Sequence, residues 1–471
     1  MNIHPAVFGH AVAGLCASLL VSCGGGGYGD GGSPPPATLN MSVAPTTITL
    51  GQSATITWNS NAGTSCTASG AWSGTKAASG SEMVTPTQTG TLTYTLRCSG
   101  GGYGDSQTMS VTLMVNAIMG FTQTPLVSRF AGTAAPTTDP MLVDPRGIAF
   151  APSGPVWIAN SRTSIAYDGN GRAQSPPRGL AANVSANTVD IAFELTGIVS
   201  ATPDFVVTAN GKFGSAKFIY AGKGGIIGGW APDVDPANAL TMYVGTDGAV
   251  YTGLAMAING SDNFLYATDF HNNKIDVFDA NFTRQTPSIV KFSFSDPTLP
   301  AGFAPFGIQA IENGAAGRTQ IYVTYAQQMP PDDYNNAIGA GLGLVNVFDT
   351  NGNLLRHLVP AGGALNAPWG IAVAPADFGT LSHSLLIGNF GDGKINAYNP
   401  ASGKYVGTVS DADGRSIVTR GLWGMAFGND SNNQPHNTLF FAAGTDEADS
   451  TYGRIDLGTT PPMLEVTTRR H

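Results

Sequence analysis

The chain is poor in charge. Asp, Glu, Lys and Arg make up only 11% of its 471 residues, and 22 basic against 31 acidic side chains leave a formal charge of −9. No Lys or Arg cluster interleaved with aromatics occurs, so the footprint of a nucleic-acid-binding protein is missing. Compact catalytic signatures are missing too. There is no Gly-x4-Gly-Lys-Ser/Thr loop, no His-Glu-x-x-His, no Cys-x-x-Cys and no Gly-x-Ser-x-Gly elbow. Phosphate binding, zinc hydrolysis and α/β-hydrolase chemistry by those designs are excluded. The seven His are dispersed. His271, His357, His383 and His436 fall in turn or strand-edge contexts, where a lone His is more often solvated than a ligand.

Turn chemistry is abundant: 62 Gly and 30 Pro accompany 42% hydrophobic residues. Many short strands need such turns, so an all-β protein of two or three domains is expected.

Residues 5–21 are apolar or small apart from His10 and Ser18, the length of a signal-peptide core and short for a membrane span. Leu20-Val21-Ser22-Cys23 then resembles the lipobox of bacterial lipoproteins, in which a small residue precedes a Cys whose thiol is lipidated. The resemblance implies a signal peptide over residues 1–22, lipidation of Cys23, export and anchoring to the outer membrane or cell envelope, Gly24 standing where Asp marks inner-membrane retention. The n-region, Met1 to His4, departs from the pattern in having no Lys or Arg. An ordinary cleaved signal with Cys23 incidental is the alternative. Residues 23–36, rich in Gly and Pro, read as a tether that cannot fold alone.

Of four cysteines, Cys16 lies in the leader and Cys23 is the lipid site, which leaves Cys66 and Cys98 to pair in an oxidising compartment. Around them, residues 37–116 show short alternating runs at 47–50, 54–58, 91–96 and 109–115, the pattern of a β-sandwich. The segment resembles bacterial Ig-like modules, with Trp58 on an early strand and Trp72 after the first Cys. A bridge closing a 32-residue separation contributes about 3 kcal/mol to so small a core.

From residue 121 onward the chain repeats. Gly147, Gly197, Gly253, Gly307, Gly370 and Gly424 each open a unit, at spacings of 50 to 63 residues. A second apolar run and a third, alternating run follow each opening, so every unit reads as a β-meander. Short first strands beside Gly suit a crowded central channel, continuous apolar second runs suit a strand covered on both faces, and the alternating third suits an outer strand. Closing six units upon one another buries faces that an open array would expose. Residues 125–130 are the candidate closing strand, with 463–467 as rival. The units at 266–279 and 387–395 resemble the NHL-type propellers, and the Trp-Gly openings at 369–372 and 423–426 resemble an uncharacterised bacterial envelope family. Both imply a six-bladed β-propeller over residues 121–471.

Asn160, Asp269 and Asn389 fall at equivalent points, the end of the second run, where propeller loops converge. Such a cluster could hold Ca²⁺, and in lactonase-like propellers a comparable ring holds a catalytic metal. Each residue capping its own turn is the plainer alternative. That family also expects a Glu near the first blade, and none occurs between Phe121 and Ala192. The fourth unit carries a polar insertion at 327–336, and 446–449 is a second acidic loop; both are candidates for the binding face or for solvated loops. Two functions are weighed: a non-enzymatic, monomeric envelope lipoprotein that binds protein or carbohydrate, with no catalytic residue, or a metal-dependent propeller hydrolase.

Overall fold

The computed structural model describes residues 37–458 apart from 51, 62–64, 100–105, 117–119, 162, 175–179, 182–193, 289–290, 314–317, 332 and 446–448. The expected leader, Cys23, the tether, most of the acidic loop at 446–449 and the rival closing segment at 463–467 lie outside the described residues. The chain divides into two compact units, Met1–Ala117 and Ile118–His471. Nearly every described element is a strand, and no helix is long and apolar enough to cross a membrane.

The first unit is two sheets sharing one core. One sheet runs Leu39–Ala44, Ala54–Ser60, Ser79–Val84; the other runs Thr47–Thr49, Gln107–Asn116, Gly90–Ser99, Ser65–Gly70, Gly74–Ala77. Strict alternation along Ala54–Ser60 turns Ile56 and Trp58 inward, where they meet Trp72, Tyr94, Leu96 and Leu113. Trp58 and Trp72 pack edge to face at 5.5 Å. The disulfide Cys66–Cys98 forms. It joins two adjacent strands of one sheet rather than the two sheets.

The second unit contains six sheets of three to five strands, antiparallel apart from the short pairing of Thr137–Thr138, and one separate two-stranded hairpin; each predicted run supplies a strand of the six larger sheets. The first strands are Pro145–Phe150, Leu195–Ser200, Tyr251–Asn259, Phe303–Asn313, Pro368–Val373 and Leu422–Phe427. Each touches the next, and the last touches the first. Second strands such as Val156–Asn160, Phe218–Gly222 and Leu385–Asn389 are buried throughout, as their apolar composition requires. The third strands are not the outermost. Ile226–Trp230 and Ile395–Tyr398 are fully buried, because a fourth strand covers all but one of them; Tyr405–Thr408 is one such exposed edge. Among the described residues Lys274–Phe278 has no fourth strand beyond it.

Closure uses the N-terminal candidate. Phe121–Ser128 pairs antiparallel with Thr451–Leu457, so the beginning of the unit completes its last sheet. A circularly contacting set of sheets, stapled by strands from both ends of the unit, is a β-propeller.

The opening glycines explain themselves at the axis. In every first strand the pairing skips the residue before the Gly, a bulge that brings the Gly against the next sheet. A Cβ on any of the six would lie within 3.1 Å of a backbone atom there, running from Gly147 against Thr196 round to Gly424 against Arg146. None needs a left-handed backbone; close approach alone demands glycine.

Candidate functional site

Asn160, Asp269 and Asn389 end their second strands as expected, and all three are buried. Each bonds within its own sheet, although the Asn389 Oδ1 is buried without a partner among the described residues. The Asn160 side chain accepts from the Val143 amide at 2.5 Å and donates to the Met141 carbonyl at 2.7 Å. Asp269 accepts from the Val250 amide at 3.0 Å and from Asn272 Nδ2 at 2.8 Å. Asn389 donates to the Ala364 carbonyl at 2.9 Å and to Asp392 at 3.0 Å. Each therefore latches the segment leading into its first strand. No hydrogen bond links any two of the three among the described residues.

Asp269 instead joins a different cluster. Asp247, Asp269 and Asp276 bring carboxylate oxygens within 4.8 Å of one another. Lys274 fills the space between them, its Nζ at 2.9 Å from Asp247, 2.9 Å from Asp276 and 3.3 Å from Asp269. Arg284 adds a contact of 2.9 Å to Asp247, and the Tyr251 hydroxyl donates to Asp276 at 2.8 Å. Burial raises the Asp247 carboxyl, but hydrogen bonds from Lys274 and Arg284 outweigh it and hold the group at about 2. Protein cations occupy the place a metal would take. Alternation puts Lys274 and Asp276 on one face of their strand, which is the sequence signal for this pairing.

The residues skipped by the bulges form a cap over one end of the axis: Arg146, Thr196, Thr252, Phe306, Trp369 and Trp423. Trp423 packs on Phe306 at 5.7 Å, Trp369 at 5.8 Å and Phe390 at 4.4 Å, and the Arg146 guanidinium lies 5.5 Å from its ring. The Trp369 indole donates to the Thr252 carbonyl at 2.9 Å, and the Thr252 hydroxyl to the Phe306 carbonyl at 2.7 Å. Residues following the glycines, such as Ile198, Leu254, Ile371 and Met425, line a well of about 530 Å³ whose polar side chains include Ser200, Gln309 and Glu312.

Arg146 is buried and pairs with Asp144 and, at 2.7 Å, with Glu194; Glu194 in turn meets Lys223 at 2.6 Å. Burial raises the Glu194 carboxyl, but the charges of Arg146 and Lys223 and the hydrogen bonds from both prevail and hold it at about 2. Glu194 lies two residues beyond the glutamate-free segment Phe121 to Ala192.

Beside this chain of charges is a cavity of about 430 Å³ lined by Lys223, Thr246, Val250, Tyr334, Asn335 and glycines. Three sheets build it. Lys223 follows the second strand Phe218–Gly222, residues 245–250 lead into Tyr251–Asn259, and Tyr334 belongs to the polar insertion of the fourth unit. Backbone bonds fix the walls: the Gly245 amide donates to Gly225 at 2.7 Å, and the Met329 amide to Asn335 at 2.8 Å. The Tyr334 ring stacks on His271 at 4.3 Å with planes 5° apart. The insertion thus lines a cavity.

Fold and site define a β-propeller with a capped axial well and a small cavity on the face where the second strands end. The chain belongs to the family of the uncharacterized protein R648 of Acanthamoeba polyphaga mimivirus, with which it is 34% identical over 337 residues, 68% of this chain and 76% of that protein. It is 30% identical to R640 of the same virus over 61% of this chain, but spans only 52% of that protein. No family model matches. Solved structures with some likeness include a glucose dehydrogenase, 16% identical with a TM-score of 0.40 over 68% of this chain and 98% of that one. An auxiliary nutrient binding protein from Bacteroides thetaiotaomicron is 9% identical with a TM-score of 0.42 over 89% of this chain and 97% of that one.

Proposed function

We propose that the chain is a non-enzymatic six-bladed β-propeller that binds a ligand, preceded by an Ig-like β-sandwich, exported as a monomer and anchored to the cell envelope through a lipid on Cys23. The six-bladed count is supported by the six sheets of three to five strands and the cyclic contacts of their first strands. The Ig-like reading is supported by the strand order of the two N-terminal sheets, although the disulfide stays within one of them. The anchor is supported by Leu20-Val21-Ser22-Cys23.

One observation carries the binding reading over hydrolysis. Lys274 and Arg284 bridge the aspartate cluster internally, whereas the cavity at Lys223 and Tyr334 presents one cation and one aromatic ring, with no carboxylate among the described residues of its wall. A metal-dependent hydrolase would have to expel Lys274 from among Asp247, Asp269 and Asp276. Elemental analysis with EDTA titration tests this choice. Metal-free protein whose melting point ignores EDTA fits the binding reading; a stoichiometric divalent metal, with hydrolysis lost on chelation, overturns it. Mass spectrometry of the mature terminus tests the anchor: an unmodified Cys23, or none, removes it.

A further inference from the structure

We propose that the cavity walled by Lys223, Thr246, Tyr334 and Asn335 takes a sugar acid, a pyranose bearing a single carboxylate; the inference rests on the binding reading and names what that face binds. Among the described residues Lys223 is the only charged side chain in the wall, and about a third of it is exposed. Its ammonium has three protons, and Glu194 at 2.6 Å already offsets part of its charge. What remains suits one carboxylate; a phosphate dianion or a nucleotide calls for several cations.

Tyr334 supplies the second element. His271 stacks on its ring and holds it flat, and the residue lines the cavity. A rigid aromatic with a polar tip gives contact area at low entropic cost, and a pyranose presents a complementary flat C–H face. Thr246 and Asn335 add hydroxyl and amide groups for sugar hydroxyls. Gly224, Gly245 and Gly248 leave peptide backbone in the wall without side chains over it, and Gly224 and Gly248 have φ of 108° and 72°, which glycine tolerates without strain. A volume of about 430 Å³ holds a single ring of this kind.

The test is calorimetric titration of the full chain and of the variants Lys223→Met and Tyr334→Ala with glucuronate, glucose, benzoate and inorganic phosphate. Tyr334 lies on an exposed loop, so its replacement leaves folding intact, which circular dichroism checks. Glucuronate is expected to bind with millimolar affinity, and the other three probes at least ~10-fold more weakly; each variant is expected to lose at least ~10-fold for glucuronate. Glucose binding as well as glucuronate would mean that charge is not read; benzoate doing so would mean that hydroxyls are not read. Tighter phosphate, no glucuronate binding, or an unchanged Tyr334→Ala variant would also overturn the proposal. These failures differ from failure of the binding reading, which is marked by a bound metal and chelator-sensitive hydrolysis.

Discussion

Replacing Gly147 by Ala perturbs the ring at its axis and nowhere else. The new Cβ would stand 2.6 Å from the Thr196 carbonyl oxygen and 3.0 Å from the Ile198 amide nitrogen, both backbone atoms of the next sheet. Ordinary contact begins near 3.4 Å, so the two first strands must part by about 0.8 Å at a point where Pro145–Phe150 is packed between Leu195–Ser200 and Leu422–Phe427 and leaves no slack. Overpacking of this kind costs about 1–3 kcal/mol, and collision with backbone rather than a side-chain tip places it near 3. Spread over the unfolding entropy of a unit this size, ~2.1 cal/mol/K per residue, the loss lowers Tm by about 4 °C. Gly363→Ala is the control, since nothing lies within 4 Å of its Cβ and its φ is unstrained. Calorimetry of the two variants decides. A Gly147→Ala protein within about 0.5 kcal/mol of the parent, or equal to Gly363→Ala, would refute the close-approach argument.

Lys274→Met leaves Asp247, Asp269 and Asp276 with Arg284 alone, and is expected to cost about 2 kcal/mol or more at pH 7; Ca²⁺ should raise the melting point of this variant and not of the parent, and thermal scans with and without the ion check both. Glu194 has a carboxyl lowered from 4.5 to about 2, so its contribution is full above pH 4.5 and is lost as pH falls through about 2. Urea unfolding of Glu194→Gln should therefore lose part of the parent's decline over that window, and an unchanged slope would remove Glu194 as its source. Replacing Cys66 and Cys98 by Ser should destabilise the N-terminal unit by about 3 kcal/mol and leave the propeller's own transition in place, which two-transition calorimetry would reveal.

The ring was legible in the sequence because its physics is periodic. Close approach at the axis admits only Gly, and burial on both faces admits only apolar second strands, so Gly147 through Gly424 and the runs after them could be read directly. The outer edge was not legible. Tyr405–Thr408 is too exposed to carry an apolar pattern, and its neighbours were consequently read as outermost. The hairpin Val206–Ala209 with Lys212–Ser215, inside the second unit, left no signal distinguishable from the strands around it. At the site, Asn160, Asp269 and Asn389 were placed correctly along their strands, but their partners, Val143, Val250 and Ala364, come from about twenty residues upstream, and only the fold brings them near. Arg146, Glu194 and Lys223 meet across two sheets, a contact no local spacing encodes.

Pairing of Phe121–Ser128 with Thr451–Leu457 is what turns the sheets into a ring, and a cross-link tests it most directly. Thr122 and Asp456 face each other in that register. With Cys16 and Cys23 changed to Ser, Cys at 122 and 456 should form an intramolecular disulfide on mild oxidation and raise the propeller's unfolding temperature. Free thiols after oxidation, or links only between molecules, would contradict the closed ring.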